Sequence, residues 1–124
     1  MLALTFDTGA LIALDRGDKR MRTVLETAML DDVAIVVPAV VVAEWWRGTG
    51  RRRESILASV DVEPTSEHVA RIAGEAIAAV PSATVVDAIV MASAAQRGGI
   101  VYTSDLEDME RLRSRFRSVR LLRA

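Results

Sequence analysis

The sequence predicts a single α/β domain of three α/β/α layers, built on a parallel central sheet of about four to five strands. Its 124 residues match the usual size of one domain. Short apolar runs alternate with segments whose apolar residues recur at helical spacing, which is typical of a parallel sheet covered by helices. The chain has no Cys, which excludes disulfide scaffolds, thiolate zinc sites and thiol catalysis.

The strands are predicted from short β-prone runs. We predict them, in order, over residues 2–6, 33–37, 60–62, 100–102 and 119–122. The second run is continuously apolar and mostly β-branched, as expected of a parallel strand that is buried on both faces.

The helices are predicted from apolar periodicity and from residues that favour helix ends. We predict them over residues 10–14, 18–29, 38–47, 51–59, 66–80, 84–95 and 104–116. Asp7 and Asp18 can cap the first two helices. Pro38 suits a first helical turn, and Ser104 with Glu107 has the spacing of a capping box.

Five acidic residues occupy positions that point to chemistry. Asp7, Asp105 and Asp108 follow strands, and ligands of parallel sheets bind outside the carboxyl ends of strands. Glu44 and Asp87 interrupt apolar stretches, where an unpaired carboxylate is costly to bury. Each acid alone also has a structural explanation, as a helix cap, as a first-turn acid or as an ion-pair partner. Together they favour a divalent cation, and oxygen-only ligands suit Mg²⁺ or Mn²⁺.

Arginine dominates the basic residues, because Lys19 is the only lysine in the chain. One group is Arg51, Arg52 and Arg53, and a second group around Arg113 closes the chain. Such groups are either a solvated face or contacts for phosphates. We predict that Arg51, Arg52, Arg53 and Arg113 flank the acidic residues and hold an RNA backbone.

The acidic residues and their neighbours resemble the PIN-domain ribonucleases. The resemblance rests on Asp7-Thr8-Gly9-Ala10-Leu11, on Val37-Pro38 leading to Glu44, on Asp87-Ala88, and on Thr103-Ser104-Asp105 with Asp108. In length and motif order the whole chain, residues 1–124, is similar to the VapC toxins of bacterial toxin–antitoxin pairs.

The resemblance implies a PIN-like fold and a catalytic cluster at the acidic positions. The catalytic residues would be Asp7, Glu44, Asp87 and Asp105. The ligands of Mg²⁺ or Mn²⁺ would be Asp7, Asp87, Asp105 and Asp108. The hydroxyls of Thr8 and Ser104 would orient these carboxylates.

The same resemblance implies a metal-dependent endoribonuclease that hydrolyses RNA phosphodiesters, forms a homodimer and is inhibited by a cognate antitoxin. Trp45, Trp46 and the helix face carrying Met21 are candidate antitoxin contacts, or alternatively core residues. No apolar run approaches the length of a membrane span, so we expect a cytoplasmic protein with no membrane contact. The alternative function is a catalytically inactive PIN-like module that binds RNA or protein.

Overall fold

The computed structural model describes residues 3–48 and 50–124, and its centre is a five-stranded sheet. The strands are β1 (Leu4–Phe6), β2 (Ile35–Pro38), β3 (Asp61–Glu63), β4 (Ile100–Thr103) and β5 (Arg120–Arg123). They lie in the order β3-β2-β1-β4-β5, and every neighbouring pair is parallel. The predicted α/β class and parallel sheet are therefore confirmed. Residue 2, where we predicted the first strand to begin, lies outside the described residues.

Seven helices connect and cover the strands in the described part of the chain. They are α1 (Thr8–Asp15), α2 (Lys19–Leu30), α3 (Ala39–Trp45), α4 (Arg51–Ala58), α5 (Glu67–Ala79), α6 (Val85–Ala95) and α7 (Leu106–Arg113).

The predicted ends of two helices, α3 and α7, are wrong. Pro38 is the last residue of β2 and precedes α3, which ends at Trp45. Helix α7 ends at Arg113 rather than near residue 116. The predicted capping box at Ser104 is absent, because β4 extends to Thr103 and Asp105 occupies the N-cap position without a side-chain cap.

Helices cover both faces of the sheet, as the side chains of β1 show. Leu4 lines an apolar groove together with Val24 of α2 and Tyr102 of β4. The next residue, Thr5, accepts a hydrogen bond from Arg97, which follows α6. Since successive side chains of a strand point to opposite faces, α2 and the end of α6 lie on opposite sides.

Helix α6 is the most buried helix, since every residue from Ala88 to Ala94 is buried. Its C-terminal end is fixed by a polar network around Arg97. The guanidinium donates to Glu63 of β3 at 2.6 Å, to Ser93 at 2.9 Å and to Thr5 at 3.1 Å. The hydroxyl of Ser93 also donates to Glu63 at 2.6 Å.

Two of the candidate partner contacts belong to the core. Met21 is fully buried and Trp45 is 5% exposed, so neither side chain is available to another molecule. Trp46 is half-buried and lies edge-on to Trp45, with ring centroids 6.0 Å apart. None of the helices within residues 3–48 and 50–124 combines the length and apolar character needed to cross a bilayer.

Candidate active site

Asp7 lies where central strand β1 meets α1, and its carboxylate faces inward. Its backbone N–H continues the strand pairing by donating to the Tyr102 carbonyl at 3.2 Å. The side chain accepts a hydrogen bond from the Ala10 N–H at 3.0 Å and so caps α1, as predicted. Asp7 is 6% exposed. Burial raises its pKa to about 6 and the charge of Asp87 adds to the rise, while the hydroxyl of Thr103 opposes it.

Asp87 lies in the first turn of α6 and is held by the residue that caps this helix. The Thr84 hydroxyl accepts the Asp87 N–H at 3.1 Å. The pKa of Asp87 is raised, first by burial and then by the charges of Asp105, Asp108 and Glu44, although Thr84 lowers it through a hydrogen bond. The helix N-terminus therefore presents a carboxylate to the other four acids.

Asp105 and Asp108 lie at the start of α7, directly after β4. The Asp105 N–H donates to the hydroxyl of Thr103 at 2.9 Å. A hydrogen bond from the protonated Asp108 carboxyl to Asp105, together with the charge of Asp105, raises the pKa of Asp108, and Arg111 opposes this rise from 3.0 Å.

Glu44 approaches the other acids from α3, and its side chain is exposed. The Thr8 hydroxyl donates to its Oε1 at 2.6 Å, across 36 residues of sequence. An ion pair with Arg47 would have explained Glu44 structurally, but Arg47 donates to the neighbouring carbonyl of Trp46 instead. The five predicted acids thus come from four separate segments to one edge of the sheet.

The charge of this edge is largely uncompensated. In the described residues the ion pairs involve Asp15, Glu63, Glu67, Asp108 and Glu110. No cationic side chain of these residues therefore pairs with Asp7, Glu44, Asp87 or Asp105. The raised pKa values of Asp7 and Asp87 follow first from burial and then from this unbalanced negative charge.

We tested whether these residues fit a divalent cation. The donor set consists only of carboxylate oxygens, which suits Mg²⁺ or Mn²⁺. As the side chains stand, no three acidic residues of the described ranges enclose a single ion position. The site therefore fits a divalent cation in donor type and in unbalanced charge.

The predicted RNA-contacting arginines lie at or beside the ends of α1 and α7 that point away from the acids, and their contact with RNA stays a prediction. Arg53 pairs with the carboxylate of Asp15 at 3.2 Å, and Arg52 donates to the carbonyl of the same residue. Asp15 is the last residue of α1, so the length of the helix separates it by about 12 Å from Asp7, which caps the other end. Arg51 begins α4 beside Arg52, and Arg113 ends α7, where it donates to the carbonyl of Val119.

Two residues near the acids have roles that were not predicted from the sequence. Thr103 is fully buried, and its hydroxyl contacts both the carboxyl of Asp7 and the N–H of Asp105. Gly9 lies against Ser104, because a Cβ added at residue 9 would be 1.9 Å from the Ser104 hydroxyl oxygen. The hydroxyl of Ser104, predicted to orient a carboxylate, instead packs against α1. In the sequence, the only sign of this role is that Thr103 ends a predicted strand close to an acidic residue.

The chain matches a known protein family and is similar to several solved structures. The PIN domain family model matches residues 4–114. No curated protein matches the chain at a significant level. Similar solved structures include chains of VapBC2 from Rickettsia felis bound to a promoter DNA fragment (TM-score 0.77, 13% identity, 99% of both chains covered). They also include DNA-bound VapBC from Salmonella typhimurium (0.73, 17%, 99% of this chain and 98% of that chain) and a toxin–antitoxin complex from Klebsiella pneumoniae (0.70, 17%, 94% and 95%).

Proposed function

Because this chain belongs to the PIN domain family, we propose that it is a metal-dependent endoribonuclease toxin that hydrolyses RNA phosphodiesters. The observation that carries the proposal is the convergence of five acids, four of which have no cationic partner among the described residues. Asp7, at the end of the central strand with its pKa raised to about 6, is the most buried of the five. A structural carboxylate in that position would ordinarily be paired.

In this proposal Asp7, Asp87, Asp105 and Asp108 hold Mg²⁺ or Mn²⁺, and Glu44 completes the catalytic cluster. When bound, such a cation lowers the pKa of a water molecule and offsets the charge on the phosphoryl oxygens during in-line attack. No side-chain nucleophile is required. The chain has no Cys, and its one histidine, His68, is exposed at the start of α5.

The hydroxyls of three threonines orient the carboxylates. Thr103 holds Asp7, Thr84 holds Asp87 and Thr8 holds Glu44. Each threonine belongs to a strand end or a helix start, so the backbone fixes its position. This arrangement keeps like charges facing one another before substrate and metal arrive, which is the preorganisation that electrostatic catalysis needs.

The experiment is cleavage of a mixed RNA pool by the purified protein in Mg²⁺ or Mn²⁺, with a chelator control. We expect Asp7→Asn and Asp87→Asn each to abolish cleavage while the fold is kept. Asp61→Asn is the matched control, because Asp61 is an exposed aspartate at the amino end of β3, on the opposite edge of the sheet.

The possible results separate the candidate functions. Cleavage that requires metal and Asp7, but not Asp61, supports the nuclease. Cleavage that survives Asp7→Asn contradicts the proposed cluster. RNA binding without cleavage, across a pool that includes structured RNAs, favours the alternative of an inactive RNA-binding module.

The antitoxin and the homodimer are also proposals. Similar solved structures are described as toxin–antitoxin complexes, and the chain offers a groove of about 540 Å³ between α1, α2 and α4. Leu14, Leu25 and Ile56 form its apolar part, and Arg22 and Arg52 lie at its margin. We place the antitoxin contact there rather than at Met21 or Trp45, whose side chains are buried. The cytoplasmic location is a proposal as well, since the proposed RNA substrate and antitoxin would be met there.

A further inference from the structure

Strand β5 is the last strand on one side of the sheet, and its outer side has no neighbouring strand among the described residues. We call this outer side the lateral edge. Toward β4, the N–H of Arg120 donates to the carbonyl of Gly99 at 3.1 Å. In a parallel strand the N–H and C=O of one residue point to the same side, and those of the next residue point to the other side. The backbone groups of Leu121 and Arg123 therefore point outward, along the lateral edge.

Most of these outward backbone groups lack a protein partner. The Arg123 carbonyl is the exception, because it accepts the guanidinium of Arg20, from the first turn of α2, at 3.0 Å. Among the described residues no other group bonds to the Leu121 N–H, the Leu121 carbonyl or the Arg123 N–H. An edge strand in this state is a template for pairing with another chain.

The α2 side of the sheet offers an apolar surface beside the lateral edge. Leu122 is in register with Tyr102 of β4, so both side chains lie on the same face of the sheet. Tyr102 lines an apolar groove of about 290 Å³ together with Leu4 and Val24. Leu122 continues this surface toward the lateral edge and is 38% exposed. A strand added beside β5 would cover Leu122 with one of its alternate side chains.

The charges of β5 decide which strand it can accept. The strand reads Arg-Leu-Leu-Arg, and the arginines at its two ends are exposed. If two copies of β5 paired antiparallel about their centres, Arg120 of one copy would lie opposite Arg123 of the other, and like charges directly opposite are destabilising. An acidic residue opposite each arginine would form a cross-strand ion pair instead. The lateral edge therefore discriminates against a second copy of itself and in favour of an acidic strand.

We propose that β5 binds an extended segment of a partner protein, which adds to the sheet as a further strand. The residues of this segment that face β5 are, in order, acidic, apolar, apolar and acidic. Backbone hydrogen bonds to Leu121 and Arg123 supply affinity, and the alternating side chains supply specificity. The charge pattern of β5 reads the same in both directions, so it fits either strand direction. This inference goes beyond the proposed nuclease and does not depend on it.

The test uses the full chain and a fluorescent peptide whose central sequence is Glu-Val-Val-Glu. Its dissociation constant is measured by fluorescence anisotropy, and amide exchange in β5 is followed by NMR. We expect this peptide to bind and a Lys-Val-Val-Lys peptide not to bind. The bound peptide should slow exchange at the amides of Leu121 and Arg123. The amide of Leu122, which points to β4, is the internal reference and should not change.

Reversing the charges of β5 should reverse the choice of peptide. Arg120→Glu combined with Arg123→Glu should weaken binding of the acidic peptide by about tenfold and make the basic peptide the preferred one, since two cross-strand charge pairs change sign. The matched control is Arg22→Glu combined with Arg51→Glu, which reverses the same charge at exposed positions of α2 and α4. The control should keep the preference for the acidic peptide.

Two further peptides distinguish strand addition from contacts of side chains alone. Each carries an N-methyl group on one of the two central valines of Glu-Val-Val-Glu. Neighbouring N–H groups of a strand point to opposite sides. One methylated peptide should therefore lose binding, while the other, whose methyl group points away from β5, should keep it.

Equal affinities of the two methylated peptides would overturn the proposal, since binding would then not use one side of a strand. Absence of binding by Glu-Val-Val-Glu at millimolar concentration would overturn it as well, and so would a control pair that changes the preference as much as the β5 pair does. Slow exchange at Leu121 and Arg123 in the protein alone, if it depended on protein concentration, would show that a second copy covers the edge. RNA cleavage is measured separately, and its absence would count against the nuclease but not against strand addition.

Discussion

Replacing Asp7 with Asn should stabilise the metal-free protein at neutral pH. The carboxyl pKa is raised from 3.8 to about 6 in the folded protein, so folding disfavours the ionised form. One pH unit corresponds to about 1.4 kcal/mol, and the full penalty is therefore about 3 kcal/mol. Asparagine carries no charge, and its amide oxygen can still accept the N–H of Ala10.

The sign of the pH dependence follows from proton binding. Between pH 3.8 and 6 the folded protein binds more protons at Asp7 than the unfolded chain does, so stability falls as pH rises. At about pH 4 the carboxyl is protonated in the folded protein and only partly ionised in the unfolded chain, so the wild type and variant should differ by less than about 1 kcal/mol. Above pH 6 the difference should be complete, at about 3 kcal/mol in favour of the variant.

The assay is urea unfolding in the presence of a chelator at several pH values from 4 to 8, with Asp61→Asn as the control for losing a surface charge. The free energy of unfolding of each variant is compared with that of the wild type. Equal stabilities of wild type and Asp7→Asn at pH 7.5 would refute the reasoning. A difference that is the same at pH 4 and pH 7.5 would refute it too, because it would have to come from packing.

Three further predictions concern the same edge of the sheet. Gly9→Ala should destabilise the protein by about 1–3 kcal/mol in urea unfolding, because the new methyl group clashes with the side chain of Ser104. The control is Gly74→Ala on α5, where the methyl group enters open space, and it should stabilise the protein by about 1 kcal/mol. Thr103→Val should move the acidic limb of the cleavage pH profile to higher pH, since Asp7 loses a hydrogen bond that lowers its pKa, and Thr103→Ser should not. Mn²⁺ at 100 times its dissociation constant should stabilise the wild type by about 2.7 kcal/mol, as read from thermal unfolding, and Asp7→Asn should lose most of this gain.

Much of the fold was predictable because its signals are local. The β-branched run before Pro38 and the caps at Asp7 and Asp18 depend on neighbours within a few residues. Helix ends were less predictable. Ser104 and Glu107 have the spacing of a capping box, yet the sheet extends β4 to Thr103 and moves the start of α7 by one residue.

The positions of the acids were predictable, whereas the charges around them were not. Parallel topology brings strand ends to one edge, so residues such as Asp7 and Asp105 could be placed from sequence. The pairing of Arg53 with Asp15 spans 38 residues, and no local pattern predicts it. The hydroxyl of Thr103 was missed because threonine is also an ordinary strand residue.

The polar network at Arg97 has a consequence for the register of α6. A helix that is apolar on nearly every side can rotate or slide within an apolar layer at little cost, since hydrophobic contacts are not directional. The hydrogen bonds from Arg97 to Glu63 and Thr5 are directional, and they remove this freedom at the end opposite Asp87. The network at Arg97 therefore fixes one orientation of α6 among several that would pack similarly. Arg97→Met should lower the unfolding midpoint, because it leaves the half-buried carboxylate of Glu63 without its cation, and it should also broaden the NMR resonances of α6.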